Sequence, residues 1–193
     1  MPVPQKKQSS YDASAAIAAR RAAYKRRTLF FALAGIILVI DYLTKAWVVA
    51  TIPVEETHAS WGNIRITHVL NSGAAFGLGE KFTVFITIFS MVIISAVASA
   101  LWRTTSNAWA TGLALILGGA FGNLYDRLFR PPAAFSGHVI DFISVGKFPV
   151  FNVADSAVTI GVVIVLICLL VGKKLTVSPA AEKTDASSQV SHL

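Results

Sequence analysis

The chain has 193 residues, of which 54% are hydrophobic and only 14% charged, well under the ~25% charged residues of soluble domains. That composition excludes an ordinary soluble globular domain. The net charge of +7 is placed so unevenly that it reads as membrane topology and lipid-surface contact rather than nucleic-acid binding, and the lone cysteine, Cys168, excludes an internal disulfide.

In chain order, a basic extension over 1–27 carries Lys6, Lys7, Arg20, Arg21, Lys25, Arg26 and Arg27, and its Ala-rich part, 13–23, is expected to form a surface helix. Four apolar stretches follow, at 28–50, 82–102, 110–129 and 152–172, each near the ~20 residues a helix needs to cross a bilayer. The first resembles a signal peptide ending at Val48-Val49-Ala50. Asp41 and Lys45 interrupt it just before that point and three more spans follow, so it reads as a retained helix. The loop 51–81 is too long for a mere turn. In it Ile64, Ile66 and His68 alternate with Arg65 and Thr67, the pattern of a strand with two unlike faces. Asn71-Ser72-Gly73 is turn chemistry, followed by the uncharged Ala74-Ala75-Phe76-Gly77. Such a loop serves either as a plain hairpin or as an edge for strand addition to a peptide. In span three, Gly118 and Gly122 have the small-xxx-small spacing of close helix packing. The polar tail, 176–193, has little to bury and is expected to be disordered. The domain division is therefore 1–27, a membrane domain over 28–172, and a tail over 173–193.

Arg103 between spans two and three, and Lys173, Lys174 and Lys183 after span four, join the N-terminal cluster on one side. The positive-inside rule puts both termini in the cytoplasm. Asp41, Lys45, Asn71, Asp126, Asp141 and Asp155 then all converge on the outer leaflet. Ionisable side chains in a bilayer segment are costly, so function is their default explanation. Asn123 and Asp126 are three residues apart on one helix face, and Asn152 and Asp155 repeat that spacing. Each Asn is placed either to donate to a carboxylate or to satisfy backbone at a helix end. Arg127 is expected to pair with an acid or reach the headgroups.

Two carboxylates held close share one proton, so one can take a proton from water while the other donates to a carbonyl. That suits hydrolysis of a peptide bond, and three outer aspartates permit three pairings. Competing chemistries are weaker: His58, His68 and His138 lack zinc spacing, and Ser72 with His68 lacks a nucleophile-elbow sequence. A proton-coupled transporter is the rival of another class, but these acids gather on one side instead of lining a path through the midplane.

Together the motifs resemble one family, the bacterial lipoprotein signal peptidases (signal peptidase II). They are Asp41-x-x-Thr44-Lys45, Asn71-Ser72-Gly73-Ala74-Ala75-Phe76-Gly77, the run from Gly118 to Arg127, His138-Val139-Ile140-Asp141-Phe142-Ile143 and Phe151-Asn152-Val153-Ala154-Asp155. The resemblance implies an all-α membrane protein with four transmembrane helices, a small extracytoplasmic β-sheet and a short, mobile outer segment between spans three and four. It implies an aspartic endopeptidase, with no metal or cofactor, that removes signal peptides from diacylglyceryl-modified prolipoproteins by cutting before the lipidated cysteine. Its catalytic positions match Asp141 and Asp155. Asn71 and Arg127 match positions that contact substrate or globomycin-like inhibitors. Asp41, Lys45, Gly73, Gly122, Asn123, Asp126, Asn152 and Ala154 match positions that shape or support the site. The implied setting is the bacterial cytoplasmic membrane, with lipids and prolipoproteins as partners and no nucleic acid. Phe142 and Phe148 are expected to give the Asp141 segment an apolar face that rests on the bilayer and closes over a bound peptide.

Overall fold

The computed structural model describes residues 5–73 and 79–176; the Ala74–Gly77 motif and nearly all of the polar tail lie outside them. The first helix, α1 (Gln5–Thr51), runs unbroken for 47 residues. The expected surface helix is thus its N-terminal part. Nothing between Gln5 and Ala34 breaks a helix, since alanine and long basic side chains favour it and neither proline nor glycine interrupts. Where α1 passes the end of the bundle, Arg26 donates to the Thr104 carbonyl and Arg27 lies 4.7 Å from the Trp102 ring centre.

Three further helices follow, α2 (Gly79–Arg103), α3 (Asn107–Phe129) and α4 (Val153–Leu170). Among the described residues, four helices are long and apolar enough to cross a membrane. Helix α3 is the hub, packed against each of the other three. Its glycines explain how closely it sits. A Cβ on Gly118 would stand 2.5 Å from the Ala34 carbonyl oxygen of α1, and one on Gly119 would stand 2.4 Å from that of Ala154 on α4. Glycine packing along span three is therefore as the spacing predicts. Leu113, Leu117 and Leu124 of α3 fill the bundle core with Ile94, Leu101 and Cys168.

At the opposite end from Thr104, three antiparallel strands form one sheet in the order β1 (Thr57–Trp61), β2 (Ile64–Asn71), β3 (Val139–Val145). The strand read from Ile64, Ile66 and His68 is the first half of β2. Its register slips between Ile66 and Val69, and beyond the slip Val69 pairs with Asp141 and Asn71 with Val139. Strand β3 corrects one expectation. Phe142 does not lie on the bilayer: it is buried with Val48, Ile52 and Ile140 in a small core between the sheet and the end of α1. Only Phe148, in the following turn, is freely exposed, at 65%. Asp141 is thus carried by a paired strand with a packed face, and the apolar exposure lies at the strand's last residue, Val145, and in the loop after it.

Candidate active site

Helix α4 begins at a capping box. The Asn152 side chain accepts from the Asp155 backbone N–H at 2.9 Å, and the Asp155 carboxylate accepts from the Asn152 N–H at 3.2 Å. The box satisfies orphan donors of the first turn and fixes the amide's direction. Its oxygen faces a backbone N–H, so its NH2 must point away, and it donates to Asp141 Oδ1 at 2.7 Å.

The same logic fixes two more asparagines. Asn71 Oδ1 accepts from the Gly73 N–H at 2.8 Å, which turns its NH2 toward Asp141 Oδ2, also at 2.8 Å. Asn123 Oδ1 faces the Lys45 ammonium at 2.9 Å, which turns its NH2 toward Asp155 Oδ1 at 2.8 Å. Each carboxylate oxygen of Asp141 and Asp155 therefore receives one N–H donor, three from asparagine amides and one from backbone. Asp141 and Asp155 line one cavity of about 200 Å³ with Asn71, Asn123 and Arg127. Asp141 is 2% exposed, and its carboxyl is pushed from 3.8 up to about 6. Burial dominates that rise, the negative Asp155 adds to it, and the amide donors Asn71 and Asn152 oppose it.

Asp126, the alternative partner, is otherwise engaged. Its carboxylate meets Lys45 at 2.9 Å, accepts from Arg130 Nε, and accepts from the Ile140 N–H at 3.3 Å. Lys45 also forms an ion pair with Asp41 Oδ2 at 2.7 Å. Asp41 in turn accepts from the Ala154 N–H at 2.8 Å and so holds the first turn of α4. Two acids and two bases thus neutralise one another beside the Asp141–Asp155 pair. Gly122 makes room for them, since a Cβ there would sit 2.4 Å from Asp41 Oδ2.

The expected pairing of Arg127 is corrected. It is 7% exposed, and its Nη1 donates to the carbonyls of Asn71 and Gly137, each at 3.0 Å. Arg127 ties the end of β2 to the approach of β3. Gly73, at φ 72°, leaves room for it, because a Cβ there would be 2.6 Å from Arg127 Nη2. The arginine on Asp126 is instead Arg130, one turn on in sequence, which the i,i+4 spacing could have suggested. His68 is no partner for Ser72; its Nδ1 lies 2.7 Å from the Ile52 carbonyl oxygen.

Helices able to cross a bilayer, and two amide-held carboxylates in one cavity, are the arrangement a membrane aspartic peptidase needs. The signal peptidase II family model matches residues 33–171. The chain is 42% identical over 152 residues to a lipoprotein signal peptidase of Rhodococcus jostii, covering 77% of this chain and 76% of that protein. It is 38% identical over 149 residues to that of Mycobacterium leprae, covering 77% and 74%. A bacterial membrane enzyme solved by the in meso method at 1.9 Å superposes with a TM-score of 0.66 at 29% identity, covering 74% of this chain and 93% of that one. The chain belongs to the signal peptidase II family.

Proposed function

We propose that Asp141 and Asp155 are the catalytic dyad of an endopeptidase that removes signal peptides from diacylglyceryl-modified prolipoproteins, cutting before the lipidated cysteine. One observation carries this: of the acids gathered at the sheet end, Asp141 and Asp155 are the pair held by amides and not by cations. An amide orients a carboxylate without locking its charge, so the pair keeps one mobile proton. One carboxylate takes a proton from water while the other, protonated, donates to the scissile carbonyl.

Next to this pair, Phe148, Pro149, Val150, Phe151 and Ile160 wall an apolar groove of about 440 Å³ that reaches Asp155. Such a wall suits a lipid-bearing substrate, and Phe148 at its rim fits a lid. An anchored substrate is confined to two dimensions, which supplies orientation to the reaction. The basic residues of 1–27, with Arg103, Lys173 and Lys174, favour cytoplasmic termini in the bacterial inner membrane and a site at the outer leaflet. On this reading, 28–172 is the peptidase domain, and globomycin-like inhibitors compete at Asn71 and Arg127.

Cleavage of a diacylglyceryl-modified prolipoprotein by purified wild type, Asp141→Asn, Asp155→Asn and Asp126→Asn tests the assignment. Folded Asp141→Asn and Asp155→Asn should lose turnover. Normal cleavage by Asp141→Asn, with a dead but folded Asp126→Asn, would move the dyad to Asp126 and Asp155.

A further inference from the structure

Helix α2 has two unlike sides. Phe85, Phe89 and Val92 are exposed on a helix able to cross a membrane. The opposite side carries Thr83, Ile86, Thr87 and Ser90, at the i, i+3, i+4 and i+7 positions of one stripe. Ile86 and Ser90 border the cavity that holds Asp141 and Asp155, and Thr83 and Thr87 are buried. A buried hydroxyl is costly unless it finds a partner. Thr44, Thr51, Ser90 and Thr111 find theirs on their own helices, each donating to the carbonyl four residues back. Thr83 instead reaches out of its helix and donates to the Ser72 carbonyl at 2.8 Å.

That carbonyl works as one arm of a lever. The Ser72 C=O and the Gly73 N–H belong to one planar trans peptide unit and point opposite ways, so holding the oxygen aims the hydrogen. The Gly73 N–H donates to Asn71 Oδ1 at 2.8 Å, and the other end of that amide donates to Asp141 Oδ2, also at 2.8 Å. The Thr83 hydroxyl, the 72–73 peptide, the Asn71 amide and the Asp141 carboxylate are thus joined in series, and each bond in such a series polarises the next. We propose that Thr83 is a positioning residue for the hydrolysis, acting on Asp141 through the Asn71 amide. Its bearing on turnover rests on the Asp141–Asp155 assignment; its effect on the Asp141 carboxyl does not.

The charges that face Asp141 are Lys45 of α1, Arg127 of α3 and Asp155 of α4, and Thr83→Val leaves all three in place. It removes one hydroxyl. An amide donor favours the ionised carboxylate, so an Asn71 amide no longer aimed at Asp141 should let that carboxyl rise above about 6.

The test follows the Asp141 carboxyl by 13C NMR in the full chain, labelled with 13C-aspartate in detergent micelles, with Asp141→Asn identifying the resonance. Its titration should move to higher pH in Thr83→Val and return to the wild-type position in Thr83→Ser, which keeps the hydroxyl. Thr87→Val is the comparator. That hydroxyl holds the Phe135 carbonyl and not the Asn71 turn, so its loss should leave the titration in place. In the Asn71→Ala background Thr83→Val should add nothing, because the link it acts through is gone. In cleavage of a diacylglyceryl-modified prolipoprotein, Thr83→Val should lower kcat by about tenfold with KM nearly unchanged, and Thr83→Ser should restore it. Thr83→Ala takes the place of Thr83→Val if that variant does not fold. An unmoved titration in the folded variant, an equal shift in Thr87→Val, an undiminished shift in the Asn71→Ala background, or unchanged kcat beside a shifted titration would overturn the inference. A wild type that cleaves nothing would strike the peptidase reading, while the titration still decides whether Thr83 aims the amide.

Discussion

Asn152 donates to Asp141 Oδ1 at 2.7 Å with one end of its amide, and with the other it caps the helix that carries Asp155. A single side chain therefore sets the direction of β3's acid and the start of α4. The two roles separate by substitution. Asn152→Ser keeps a capping oxygen but loses the donor, so the melting temperature should hold while kcat falls at least tenfold. Asn152→Ala loses both and should also destabilise the protein by about 1 kcal/mol, the usual value of a cap. Thermal unfolding in detergent beside single-turnover cleavage checks the split. Equal kcat in the Ser variant and wild type would show that the amide is only a cap.

The Asp141 carboxyl makes stability depend on pH. Its folded value, about 6, lies above the ordinary 3.8, so the fold prefers the neutral acid. Its contribution is full below about pH 4 and is lost as pH rises through 6. Over that window wild type should lose on the order of 2–3 kcal/mol relative to Asp141→Asn, whose side chain cannot ionise. Unfolding both proteins across pH 4–7 measures the difference; parallel curves would contradict it.

Two glycines should answer the same substitution in opposite ways. Gly122→Ala pushes a methyl against Asp41 Oδ2 and should cost about 1–3 kcal/mol, as overpacking does, with turnover falling because Asp41 holds the first turn of α4. At Gly35 nothing lies within 4 Å of an added Cβ. Gly35→Ala should therefore leave cleavage unchanged and raise stability by up to about 1 kcal/mol, the helix preference of alanine. Melting curves of the two variants make the comparison.

Phe148 is 65% exposed, and its ring stands edge-on to Phe151 at 5.8 Å. If it closes over bound substrate, Phe148→Ala should raise KM several-fold with a smaller change in kcat, since the reacting groups are untouched. A kcat loss at constant KM would place the effect on the carboxylates instead.

The bundle was legible because the apolar runs are long, and the glycine spacing of span three named its packed face. The acids and asparagines were legible as polar groups where they are costly. Their partners were not. Asn152 does satisfy backbone at a helix end beside Asp155, one of the two roles its spacing allowed, yet its NH2 donates across to Asp141, and Asn123 donates across to Asp155 and not to Asp126. Such pairings depend on the register of helix against helix, which one sequence does not carry. Strand β3 escaped because both its faces are covered, and a strand buried on both sides reads as a plain apolar run. The proposed choice among three aspartates rests on the positions of Lys45 and Arg130 beside Asp126, and of these only Arg130 had a local signal.

The ring of asparagines also insulates. Asp41 and Asp126 stand close to the dyad, and acids in such proximity ordinarily pass protons among themselves. Here Lys45 lies against both acids and Arg130 against Asp126, and Asn123, the link between Lys45 and Asp155, is an amide that conducts no proton. On the proposed assignment, that isolation would keep a shared proton between Asp141 and Asp155, the condition a two-acid hydrolysis requires and a proton conduit must avoid.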